Sequence, residues 1–174
     1  MSPKPYSAAL PVARVFLRFL VVLNLLSAVA ILVLLIFMPT EQWILSSFDL
    51  KPSAEADRII RALHAIAVVG LVTVPLNHLL LRRLLAMVDS VRAGDPFVSA
   101  NASRLQAIAW VLLALQLLSI VVAAIAKYAS TPEHPLRFDA GFSISGWLAV
   151  LLMFVLARVF AEGALMREDL ARTV

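Results

Sequence analysis

The polar side chains that interrupt long apolar stretches are where this chain could do chemistry: Asn24, Thr73, Asn77 and Gln116, with His64 and His78 towards the ends of one stretch. Amides can hold a solute or an ion, and imidazoles can hold a metal or pass a proton. His64 and His78 are fourteen residues apart. That puts them on one face of a helix but about 21 Å from each other along its axis, too far to share a metal. His134 adds no ligand spacing. Proton-coupled transport commonly relies on a carboxylate within the membrane, and here every Asp and Glu lies in a loop, a terminus or a helix extension. Cysteine is absent, which removes disulfides, thiolate metal sites and thiol nucleophiles. There is no glycine-rich phosphate loop, metalloprotease helix or nucleophile elbow. The expectation is a chain without a catalytic, metal or cofactor site, and not an enzyme.

What remains is a set of amides. By helix rise, Asn24 lies about 7 Å and Asn77 about 8 Å to the same side of the centres of their apolar stretches, and Gln116 lies near the middle of a third. Asn24, Asn77 and Gln116 are therefore the candidate intramembrane polar cluster. The plainer expectation for each is an interhelical hydrogen bond, worth about 0.6 kcal/mol, that helps orient the helices.

The elements that position these groups follow from hydropathy. Hydrophobic residues make up 62% of the 174 and mean hydropathy is +0.94, well above an ordinary soluble domain. Four apolar stretches, 19–38, 62–81, 105–126 and 142–160, are each read as one bilayer crossing, so the fold class is all-α, a four-transmembrane-helix bundle forming one domain over 1–174. A cleaved signal peptide is the rival reading of the first stretch, but its apolar run continues beyond Ala28-Val29-Ala30 and exceeds a typical signal core. Pro39 closes that helix. Thr40-Glu41-Gln42-Trp43 offers a cap for a short helix, with Trp43 and Phe48 at headgroup level. Ser53 and Glu55 form the start signal of a long second helix. Its apolar face at Leu81, Leu84, Leu85, Val88 and Val91 continues beyond Arg82 and Arg83, so it is expected to project past the membrane surface. Pro75 and Gly70 predict a bend within it.

Between the second and third stretches lies the loop 82–104. Gly94 ends a helix and Asp95-Pro96 blocks its continuation, with Ser99, or nearly as well Asn101, as the cap of helix three. Lys127-Tyr128 marks an interface, and residues 130–135 have the composition of a loop. The tail 161–174 is expected to stay helical to about Asp169. Segments 1–18, 82–104 and 158–174 hold ten Lys and Arg against five in the remaining loops. The positive-inside rule then places both termini and the central loop in the cytoplasm. On that side Asn101-Ala102-Ser103, a glycosylation sequon, would not be used. The net charge of +4 is better explained by membrane anchoring than by nucleic acid, because the basic residues sit at the ends of apolar blocks.

Arg92-Ala93-Gly94-Asp95-Pro96-Phe97-Val98, followed by Asn101-Ala102 and Arg104-Leu105, resembles the hallmark of a bacterial membrane family known as domain of unknown function 2975. The tail is similar to that family's closing motif, in Val159-Phe160-Ala161-Glu162-Gly163, Leu165-Met166-Arg167-Glu168-Asp169-Leu170 and Thr173-Val174. The resemblance covers most of the chain. It implies a multi-pass protein of the bacterial inner membrane, and, since many members are encoded beside a small cytoplasmic helix-turn-helix regulator, a membrane partner that binds or sequesters such a regulator. The candidate docking residues are Gly94, Asp95, Pro96, Phe97, Asn101 and Arg104. The competing expectation for the same residues is a helix-ending turn whose Phe97 packs back on the helices. Two further readings stand beside the regulatory one: a small carrier or channel using the amides, and a structural module forming homo-oligomers through small residues such as Ala123-Ala124-Ala126.

Overall fold

A computed structural model describes residues 6–37, 53–94, 96–131 and 139–172. The expected short helix with Trp43 and Phe48, the loop residues 132–138 with His134, and Asp95 lie outside the described residues. So do Thr173 and Val174. Among the described residues the regular structure is four α-helices: α1 (Tyr6–Phe37), α2 (Ala54–Arg92), α3 (Ser99–Ala129) and α4 (Ile144–Arg172).

All four are long and apolar enough to cross a membrane, and the regular structure among the described residues is all helical, as the hydropathy predicts. The apolar surface they leave uncovered supports the same conclusion. Val12, Phe16, Phe19, Val22, Leu26 and Val29 of α1 are each more than half exposed, an arrangement that water penalises and lipid tails do not. Each helix also outlasts its apolar stretch. With 39 residues, α2 is about 58 Å long at the standard rise, roughly twice the hydrocarbon thickness of a bilayer, and it continues past Leu81 to Arg92 as its apolar stripe suggests.

The start of α2 is the expected one. The Ser53 hydroxyl accepts from the Ala56 amide at 3.2 Å and the Ser53 carbonyl accepts from the Asp57 amide at 3.1 Å. Glu55 and Asp57 stand in the first turn, where their charge opposes the positive end of the helix dipole. α3 differs by one position: its helical residues begin at Ser99 itself rather than after it, within the usual scatter of helix boundaries. α4 begins at Ile144, after Phe142 and Ser143, and runs on to Arg172.

The chain packs as two compact units. The first takes Met1–Asn24, Leu76–Ala114 and Ile144–Val174, so it contains the start of α1, the end of α2, the start of α3 and all of α4. Its interior is made of Ala102, Leu105, Ile108, Ala109, Val111, Val150, Ala157 and Ala164, mostly small or β-branched residues that let helices approach closely. Trp110 and Phe154 meet edge to face at 5.2 Å, and Arg14 pairs with Asp89 at 3.1 Å. The second unit takes Leu25–Pro75 and Leu115–Ser143. Ala56, Ile59, Ile60, Ala62 and Ala126 are buried there, and the Arg58 guanidinium lies 5.8 Å from the centre of the Tyr128 ring. Ser119 ties α3 to the segment before α4: its hydroxyl accepts from the Gly141 amide at 2.9 Å and donates to the Gly141 carbonyl at 3.3 Å.

Candidate functional site

The turn between α2 and α3 is built from backbone first. The Ala93 amide closes the last helical turn on the Asp89 carbonyl and the Gly94 amide bonds to Val91, both at 3.1 Å. Gly94 then takes φ 87°, the left-handed conformation that lets a helix stop and that L side chains resist. No atom lies within 4 Å of where a Cβ would stand, so the glycine serves backbone shape and not close packing. The reversal is complete when the Asn101 amide bonds to the Val98 carbonyl at 2.8 Å.

Asn101 holds this reversal closed. Its side chain is 0% exposed. The Nδ2 group donates to the Ser90 hydroxyl of α2 at 2.7 Å and to the Pro96 carbonyl of the turn at 2.9 Å. Oδ1 accepts from Arg104 Nη1 at 2.7 Å. Arg104 Nη1 also donates to the Ala86 carbonyl of α2 at 3.3 Å, and the Ser90 hydroxyl donates onward to Met87 at 2.8 Å. One amide therefore joins the outgoing helix, the turn and the returning helix, which is the satisfaction a buried polar side chain requires. The burial also closes the sequon at Asn101-Ala102-Ser103, since both amide protons are engaged inside the fold.

Phe97 projects from the same turn onto α4. Its ring centre lies 5.3 Å from that of Phe160, with the planes tilted by 34°. Its edge lies against Gly163, where an added Cβ would come within 3.3 Å of Phe97 Cδ1. Phe97 of the turn and Phe160 and Gly163 of the tail, which belong to two motifs separate in the sequence, thus meet. Phe97 packs back on the helices as the structural expectation has it, yet keeps 46% of its surface exposed. Beside it, Ser99, Ser103 and Gln106 of α3 and Phe154, Arg158 and Leu165 of α4 line a groove of about 470 Å³. Arg158 pairs with Glu162 along its rim at 2.8 Å.

Among the six expected turn residues, Gly94, Pro96, Phe97, Asn101 and Arg104 come together here, and Asp95 lies outside the described residues. The three amides do not share a unit: Asn24 and Asn77 belong to the first and Gln116 to the second. Each is half-buried, and Gln116 Nε2 is buried without a hydrogen-bond partner. His64 Nδ1 lies 2.9 Å from the Ile60 carbonyl of its own helix, and Thr73 donates to Gly70 at 2.7 Å, both local bonds within α2. Among the described residues no group of three His, Cys, Asp or Glu side chains could hold a metal. Sequence reasoning passed over Ser90 and Ser119, each of which takes part in a side-chain tie between separate elements. Neither has a local signal, because each works with a partner distant in sequence.

No family model matches the chain, and no curated protein or solved structure matches it either.

Proposed function

We propose that this is a four-crossing protein of a bacterial inner membrane, with both termini and the α2–α3 turn in the cytoplasm, that binds or sequesters a cytoplasmic helix-turn-helix regulator and catalyses no reaction. The observation that supports a docking role is the joint surface of turn and tail: Phe97 packed on Phe160 and Gly163. A partner touching it would meet both motifs at once. The half-exposed aromatic ring with a charged rim has the composition of an interaction anchor. Sidedness rests on the excess of Lys and Arg in the three segments 1–18, 82–104 and 158–174, and the family assignment rests on the resemblance of the turn and tail motifs.

The test is co-purification in detergent with the regulator encoded by the adjacent gene, using the wild type and Phe97→Asp. Capture by the wild type and loss with the variant is expected. No association, together with unchanged regulator output when this protein is deleted, would remove the proposal. A reporter fused after Val174 that is active only outside the cytoplasm would overturn the sidedness.

A further inference from the structure

On the first unit, Leu79, Arg82, Arg83, Ala86 and Arg104 line a pocket of about 320 Å³. Three guanidiniums and no carboxylate form its wall. Among the described residues neither Arg82 nor Arg83 is paired with an acid; Asp89, the nearest acid along α2, pairs with Arg14 at 3.1 Å. Arg104 is anchored but not neutralised, because its two partners are an amide oxygen and a backbone carbonyl. Both bonds use Nη1, so Nε and Nη2 remain for a ligand.

The depth of the pocket indicates which ligand. Arg82 and Arg83 directly follow the apolar stretch 62–81, and Arg104 directly precedes the stretch 105–126. The pocket therefore lies where hydrocarbon gives way to headgroups, with the apolar Leu79 on its membrane side. Guanidinium groups match phosphate oxygens with paired, parallel hydrogen bonds, and basic pockets between transmembrane helices suit phospholipid headgroups.

The geometry points to a binding site for the phosphodiester headgroup of an anionic phospholipid, held by Arg82, Arg83 and Arg104. Leu79 contacts the start of an acyl chain. The site requires membrane embedding but neither the regulator nor the proposed sidedness, and of the turn residues it shares only Arg104.

The experiment uses the full chain in detergent, titrated with phosphatidylglycerol, phosphatidylethanolamine or inorganic phosphate, with bound lipid read by native mass spectrometry. Phosphatidylglycerol should be retained in preference to phosphatidylethanolamine. Arg82→Gln with Arg83→Gln should weaken it on the order of thirtyfold, the effect of removing two cations near an anionic headgroup. Arg18→Gln with Arg92→Gln removes equal charge outside the pocket and should leave retention unchanged. Equal losses in both double variants, or equal retention of the two lipids, would show general surface electrostatics and overturn the site. Inorganic phosphate displacing the lipid at matched concentration would assign the pocket to a soluble anion and overturn the lipid as its source. Should the Gln variant lose helicity, Arg82→Lys with Arg83→Lys keeps charge but not the planar fork: several-fold weaker retention supports the site, and unchanged retention counts against it.

Discussion

Replacing Asn101 with alanine removes the side chain on which the turn depends. Two bonds from a neutral amide, to Ser90 and Pro96, are lost together with one accepted from the Arg104 cation. Neutral hydrogen bonds contribute about 1 kcal/mol each and charged ones about 1.5–3 kcal/mol. Full additivity would give roughly 4 kcal/mol, but two partners keep alternatives: Ser90 still donates to Met87 and Arg104 to Ala86. The expected loss is therefore about 2–3 kcal/mol, a large part of a typical domain's net stability.

The loss should be read in detergent by denaturant unfolding followed through helicity, with trypsin cleavage after the exposed Arg92 as a local probe of the opened turn. Cleavage should accelerate. Asn101→Asp keeps the acceptor for Arg104 while removing both amide donors, and should fall between wild type and Asn101→Ala. Asn77→Ala provides the contrast from within an apolar stretch, where an amide contributes about 0.6 kcal/mol. If Asn101→Ala costs no more than Asn77→Ala and leaves cleavage unchanged, the turn is not held by this side chain.

Two further substitutions separate backbone shape from packing. Gly94→Ala meets no neighbouring atom, so its expected cost of about 1–2 kcal/mol is that of a left-handed conformation alone, and Gly94→Asn should cost less; equal tolerance of Ala and Asn in an unfolding series would contradict this. Gly163→Ala places a Cβ 3.3 Å from the Phe97 ring, but the half-exposed ring can shift and alanine favours the helix by about 1 kcal/mol. That variant should be neutral or stabilising, whereas Gly163→Leu should displace Phe97 and raise its accessibility to solvent quenching when a tryptophan is introduced there. An unchanged quenching profile would show that Phe97 does not rest on Gly163.

The parts of this fold that were legible in the sequence are those whose causes are local. An apolar stretch of membrane length, a serine three residues before the amide it caps and a glycine two residues before a proline each carry their physics within a few residues. The clamp is different. Asn101 has the residue type of a helix cap and the context of a sequon, and nothing nearby shows that Ser90, eleven residues earlier, will complete it. Ser119 and Gly141, separated by 22 residues, are equally silent, as is the meeting of Phe97 with Phe160. For the polar amides of the apolar stretches the sequence carries half of what is needed: depth along a helix can be counted, but rotation about its axis cannot, and rotation decides which neighbour a side chain meets.

Asn101 and Phe97 are consequently not independent positions. The Pro96 carbonyl held by Asn101 belongs to the peptide that leads into Phe97, so the clamp sets where the ring emerges and Gly163 sets how closely it can lie on α4. A partner docking on the ring would bind the closed turn. Its apparent affinity would then equal the intrinsic affinity scaled by the closed fraction. A 2 kcal/mol loss at Asn101 lowers the equilibrium constant for closure about thirtyfold. While the turn remains mostly closed that change is nearly invisible to a partner, and once the open state predominates it transfers almost completely to affinity. Docking measured across Asn101→Asp and Asn101→Ala therefore reports the margin by which the native turn is closed, even though the buried amide itself presents no surface to a partner.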